Sequence, residues 1–181
     1  MSSYWIDTDT LVWSNNNAYP LGSIVGEPFW KMIEDAVGSG LIKMPRHVFK
    51  EMTERKKGTK DTLAFWLEEH EGRHQSLCLP STKEIQELSG RIGDFIFSPE
   101  NKYRTYHALR FAKGADAWLI AYASLDKGVV VSREKPEPNS RKPKVPDLCV
   151  KFGVKFITLH KLVFCLEHRI PPEHCTDPYK D

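Results

Sequence analysis

Tyr4–Val12 reads YWIDTDTLV, and the rest of the chain is organised around it. Tyr, Trp, Ile and Thr favour extended backbone, and here they run straight into Asp7. A buried strand that ends on a carboxylate, with a second acid at Asp9, is unusual on packing grounds. An ionised carboxylate at the rim of a core needs a partner. In α/β proteins ligands bind at the carboxyl ends of parallel strands, so Asp7 is a candidate for the floor of an active site. The competing reading is that Asp7 and Asp9 form Asx turns where the strand exits.

The 181 residues suffice for one domain with a substantial core. Hydrophobic residues make up 40% and charged residues 28%, which excludes a disordered or fibrous chain. A net charge of +2 does not by itself announce a nucleic-acid partner. The opening MSSYWIDTDT has no basic n-region and no apolar h-region. No apolar run approaches the roughly 20 residues of a membrane span. The expectation is a cytoplasmic protein. Cysteines occur at 78, 149, 165 and 175, with no C-x-x-C pair; they are expected to be reduced thiols and not disulfides. The seven histidines form no ligand pattern.

Downstream, Asn15–Gly22 is turn-rich and predicts a loop. Phe29, Trp30, Ile33 and Val37 fall at helical spacing within Glu27–Val37. Leu41–Met44 predicts a strand. Pro45 opens a helix with Val48, Phe49 and Met52 inward, and Glu51 sits beside that face. A basic turn over Arg55–Lys60 precedes a helix in DTLAFWLEEHEG, and Leu77–Leu79 predicts a short strand. Thr82–Phe97 predicts a helix with Ile85, Leu88, Ile92 and Phe95 inward, and Tyr103–Lys113 another. GADAWLIAYASLDKG, Gly114–Gly128, is almost wholly apolar or small and predicts the most buried helix. Val129–Ser132 predicts a strand, and REKPEPNSRKPKVP a Pro-rich loop. A short helix beginning at Asp147, a strand over Val154–Leu159 and a helix over His160–Arg169 follow. Residues 1–170 form one domain, and 171–181 are expected to be a flexible tail. This alternation predicts an α/β fold, with helices on both faces of a parallel sheet of four to five strands. Right-handed crossovers bring all strand C-termini to one rim.

Four acids stand at boundaries that reach that rim: Asp7, Glu51, Asp116 and Asp147. Glu134 competes for the fourth place. Singly each has a plain explanation, since Asp116 and Asp147 suit helix N-caps and Glu51 and Glu134 suit solvated positions. As a set they carry chemistry. Two carboxylates about 4 Å apart repel by roughly 4 kcal/mol at an effective dielectric near 20, and a divalent cation turns that repulsion into binding. Oxygen donors without Cys or His favour Mg²⁺ or Mn²⁺. Such a site suits phosphodiester hydrolysis by metal-activated water.

These motifs resemble those of the PIN-domain nucleases, in a prokaryotic branch related to toxin–antitoxin toxins. WIDTDTLV resembles the family's first motif, VFKEMTE with Glu51 its second, and GADAWLIAYA with Asp116 its third. VVVSRE stands where the family often has a strand ending in Thr-x-Asp. The resemblance covers residues 4 to 168. It implies a Rossmann-like three-layer α/β/α sandwich and Mg²⁺- or Mn²⁺-dependent cleavage of single-stranded RNA. It also implies Asp7, Glu51 and Asp116 as catalytic metal ligands. It further implies a cognate antitoxin covering the acidic rim, and a homodimer. The fourth ligand departs from the pattern. Asp147 is the expected replacement, because a helix N-terminus fixes a carboxylate better than a Pro-rich loop; Asp9, Ser132 and Glu134 are accessory candidates.

Arg46–Lys60 holds six basic residues against two acids, and Arg133–Lys144 five against two. Tyr103, Arg104, Tyr106, His107 and Arg110 interleave aromatic and basic groups, a pattern that suits phosphate contact and base stacking. Candidate RNA contacts are therefore Arg46, Lys50, Arg104, Arg110, Arg133, Arg141 and Lys144. Two alternatives remain open. One is a catalytically inactive PIN-like module that binds RNA or protein. The other is a phosphatase of the haloacid dehalogenase type, in which Asp7 of DTDT would be a covalent nucleophile.

Overall fold

The computed structural model describes residues 2–54 and 62–175. Its centre is β1 (Tyr4–Ile6), which pairs in parallel with β2 (Ile42–Pro45) on one side and β4 (Val129–Val131) on the other. Beyond them lie β3 (Cys78–Leu79) and β5 (Lys155–Ile157), also parallel, giving the order β3-β2-β1-β4-β5. The chain moves outward from β1 to β3, then crosses back to β4. The topological switch point thus falls between β1 and β4, where open α/β sheets bind ligands.

The helices are α1 (Thr8–Trp13), α2 (Glu27–Gly38), α3 (Arg46–Thr53), α4 (Thr62–Arg73), α5 (Lys83–Phe97), α6 (Thr105–Lys113), α7 (Asp116–Leu125), α8 (Val145–Lys151) and α9 (Leu159–Glu167). Strand alternation sorts them into two layers. Tyr4, Ile6, Val129, Val131 and Ile157 point to one face, where they meet side chains of α1, α2, α3, α4 and α9. Trp5, Val130 and Phe156 point to the other and meet α5, α6, α7 and α8. The fold is a three-layer, Rossmann-like α/β/α sandwich. In α7 the run Leu119–Ala123 is fully or almost fully buried, as its composition predicts. Gly128 is required ahead of β4, since a Cβ there would lie 2.5 Å from Ser3 O and 2.7 Å from the Trp5 ring. No helix among the described residues is long and apolar enough to cross a membrane.

Several expectations are corrected. Asn15–Gly22 is not simply a loop, because α1 continues as a π-helical turn over Ser14–Ala18. Short polar side chains hold that turn to the backbone: buried Ser14 Oγ donates to Thr10 O at 2.7 Å, and Asn17 Nδ2 donates to Trp13 O at 3.2 Å. Phe95 is half-buried, and Ile96 takes the buried place. Cys165 and Cys175 form a disulfide, whereas Cys78 and Cys149 are buried free thiols. Cys165 lies on the buried face of α9, and the chain folds back after Pro171 to bring Cys175 to it. The expected flexible tail is accordingly anchored through 175: Tyr4 Oη donates to Ile170 O at 2.9 Å, and Lys155 Nζ to Glu173 O at 2.7 Å. Residues 176–181 and the basic turn Arg55–Lys60 lie outside the described residues.

Candidate active site

β1 delivers Asp7 to the switch point. Its N–H donates to Val131 O of the neighbouring strand at 3.1 Å, which fixes the backbone. The side chain is 5% exposed. Oδ1 accepts the Asp9 N–H at 3.3 Å, so Asp7 is the N-cap of α1, as the Asx-turn reading expects. Oδ2 accepts Ser132 Oγ–H at 3.2 Å. Capping and convergence on a site coexist in this residue. Ser132 is fully buried just beyond β4, and its Oγ also accepts the Glu134 N–H at 3.2 Å.

Glu51 reaches in from α3. Its Oε1 accepts the Ala115 N–H at 2.9 Å, and its Oε2 accepts Thr8 Oγ–H at 3.2 Å. The helices behind this contact are docked by His47 and Trp118, whose rings stack with centroids 3.8 Å apart. Asp116 is the first residue of α7 and makes no capping bond; Ala115 holds the cap position. The N-cap explanation for Asp116 therefore fails.

Asp7, Glu51, Asp116 and Glu134 line one cavity of about 450 Å³, with exposed Asp9 at its edge. Asp147 does not line it. Both Asp147 carboxylate oxygens accept the Glu137 N–H, at 3.0 and 3.1 Å, so this acid anchors the Pro-rich segment. Glu134 lines the cavity, where Val145 N–H donates to its Oε2 at 2.8 Å, fixing a carboxylate that the loop alone would leave free. The helix N-terminus does fix a carboxylate, but the one it fixes is Glu134.

The cluster is electrostatically strained. Burial pushes the Asp7 carboxyl up to about 7, with repulsion from Asp9 and Glu134 adding to it against the Asp9 N–H and Ser132 hydrogen bonds. Burial also pushes Asp116 up, to about 8, reinforced by Asp7, Glu134 and Glu51 and opposed by Lys142. Buried groups whose values rise together beside like charges mark a candidate functional site.

The basic candidates separate. Arg110 lines the cavity. Arg104 and Arg141 are joined by a backbone bond, Arg104 N–H to Arg141 O at 2.9 Å. Arg133 pairs with Asp9 at 3.0 Å and lies over the Trp13 ring. Lys144 pairs with Glu134 at 3.6 Å and with Glu137 at 3.8 Å. Arg46 is turned to Glu71 at 2.8 Å and, like Lys50, is not part of the cavity wall. Sequence reasoning missed Lys142 and Thr8, which line the cavity; only tertiary proximity marks them.

Among the described residues, no three His, Cys, Asp or Glu side chains are converged as a metal-ligand set. The donor chemistry fits a hard divalent cation: oxygen donors only, two of them pushed toward the protonated state by burial and by neighbouring carboxylates. Within that set the Asp116 carboxylate accepts no hydrogen bond from a described residue.

Residues 4–169 match the family described as a domain of unknown function (DUF4411). No curated protein and no solved structure matches the chain. With the match running from the first residue of β1 to just past α9, the chain belongs to the DUF4411 family.

Proposed function

We propose that this DUF4411 protein is a Mg²⁺- or Mn²⁺-dependent, PIN-like endoribonuclease that cleaves single-stranded RNA. One observation carries the reading: Asp7, Glu51, Asp116 and Glu134 line one cavity at the switch point of a parallel sheet. Asp7, Asp116 and Glu134 line that cavity without being converged as a ligand set, and would have to close on the ion to hold it, with Glu51 setting the start of α7. A bound divalent ion supplies activation of water and stabilisation of the leaving oxygen.

The chain's own groups do the rest. Ser132 orients Asp7, a residue of the cavity wall, by donating to Oδ2. Glu51 holds the first turn of α7 through Ala115, which places Asp116. Val145 N–H and two lysines hold the Glu134 carboxylate in position. Covalent trapping with beryllofluoride would single out the phosphatase alternative, in which Asp7 is the nucleophile.

A role as the toxin of a toxin–antitoxin pair, with a protein antitoxin over the acidic rim and a homodimeric assembly, belongs to the same proposal. Its support is the motif resemblance.

Calorimetric titration of Mn²⁺ into wild type, Asp7→Asn and Asp116→Asn tests the reading. Wild-type binding that each substitution weakens about tenfold or more is expected, together with Mn²⁺-dependent cleavage of a single-stranded RNA. A wild type that binds no Mn²⁺ overturns it and leaves an inactive binding module.

A further inference from the structure

The carboxylates share their cavity with three basic side chains: His107 and Arg110 of α6, and Lys142 of the Pro-rich strap over 133–144. A polyanion has no reason to approach four carboxylates unless something offsets them. At about 4 Å each uncompensated like-charge pair opposes approach by roughly 4 kcal/mol at an effective dielectric near 20. The basic residues form the part of the wall that can do so.

Their commitments differ. Lys142 Nζ lies 3.5 Å from Glu134 Oε1 with its side chain half exposed. Arg110 is exposed and makes no ion pair with any described residue. Both are held by backbone bonds. Gly114 N–H closes α6 onto Arg110 O at 3.0 Å, and Lys142 N–H donates to Ser140 Oγ at 3.1 Å. The Arg104–Arg141 bond then joins the strap to the start of α6, so helix and strap form one continuous wall. Tyr106, beside His107 on α6, leaves 69% of its surface in solvent.

We propose that this wall is the phosphate-binding edge of the site. Arg110, Lys142 and His107 grip the sugar–phosphate backbone of a single-stranded nucleic acid, and Tyr106 offers its ring to a base. The inference rests on the nuclease reading for the chemistry at the carboxylates, but the edge binds without it. On substrate entry Lys142 exchanges Glu134 for a phosphate oxygen, leaving Glu134 to the cation. Arg110, which has no carboxylate to release, makes the first contact.

The test is fluorescence anisotropy with a labelled single-stranded oligoribonucleotide of about ten nucleotides, in chelator so that nothing is cut. Arg110→Ala and Lys142→Ala, each checked for a wild-type melting profile, should weaken binding about tenfold. Each should also flatten the log K against log salt slope by about 0.7, one phosphate contact on a single strand. Arg110→Lys and Lys142→Arg should restore the slope, and Arg46→Ala, away from the cavity, should change neither quantity. Absent wild-type binding, or Arg110→Ala and Lys142→Ala that bind like Arg46→Ala, overturns the proposal. Binding that needs Arg110 and Lys142 without any Mn²⁺-dependent cleavage leaves the edge standing and removes the nuclease reading. Cleavage that proceeds with binding unaltered in both alanine variants does the reverse. A DNA oligonucleotide of the same sequence reports whether the edge reads the backbone alone or also the 2′-hydroxyl.

Discussion

Glu51 Oε1 accepts the Ala115 N–H at 2.9 Å across 64 residues of chain. This bond ties the helix after β2 to the first turn of the most buried helix, one residue before Asp116. Just before Ala115, a Cβ on Gly114 would be crowded by Arg110 O at 3.1 Å and would lie in ordinary contact, 3.6 Å, with Glu51 Oε1.

Glu51→Gln keeps an acceptor for Ala115 and removes one of four mutually repelling charges. Its stability in urea denaturation is expected to stay within about 0.5 kcal/mol of wild type. Glu51→Ala leaves the Ala115 N–H without its partner and is expected to lose about 1 to 2 kcal/mol. Equal stabilities for the two variants would show that the Ala115 bond contributes nothing.

The raised values of Asp7 and Asp116 fix the sign of a pH dependence. Both groups hold protons more tightly folded than unfolded. Their contribution is therefore fully present below the ordinary carboxylate range and is lost as pH rises through about 7 and about 8. Asn mimics the protonated carboxyl, so the melting temperature of Asp116→Asn minus that of wild type is expected near zero at about pH 4 and positive at about pH 9. Excess Mn²⁺ should close the gap at high pH by stabilising wild type alone. A difference that does not vary with pH would refute the strained cluster.

Asp147 and Glu134 have separate jobs. Glu134→Gln is expected to weaken Mn²⁺ binding about tenfold, while Asp147→Ala leaves that affinity near wild type. The effect of Asp147→Ala should appear in the strap instead, as faster tryptic cleavage after Arg141, because Glu137 N–H loses its acceptor. Equal losses of Mn²⁺ affinity would return Asp147 to the ligand set.

The disulfide predicts a thiol count. Of the four cysteines, two, Cys78 and Cys149, should react with a thiol reagent in non-reducing denaturant, and all four after reduction. Cys175→Ser is expected to lower stability by about 2 to 3 kcal/mol, the loop-closure contribution of a short disulfide loop. Four reactive thiols before reduction would contradict the Cys165–Cys175 bond.

Local pattern alone determined a good deal. The alternation of apolar runs with amphipathic ones specified a parallel α/β sandwich, because strand and helix periods are properties of neighbouring residues. The positions of Asp7, Glu51 and Asp116 at the ends of those runs were legible for the same reason. What the sequence could not decide was anything set by contacts distant along the chain. Asp147 and Glu134 are both acids near one Pro-rich segment, and only the Val145 N–H on one and the Glu137 N–H on the other assign their places. Cys165 meets Cys175 only because the chain folds back after Pro171. Arg46 and Arg110 look equivalent in composition, yet one is neutralised by Glu71 and the other faces the acids. Charge and hydrogen bonding act through space, so the folded chain alone decides which groups meet.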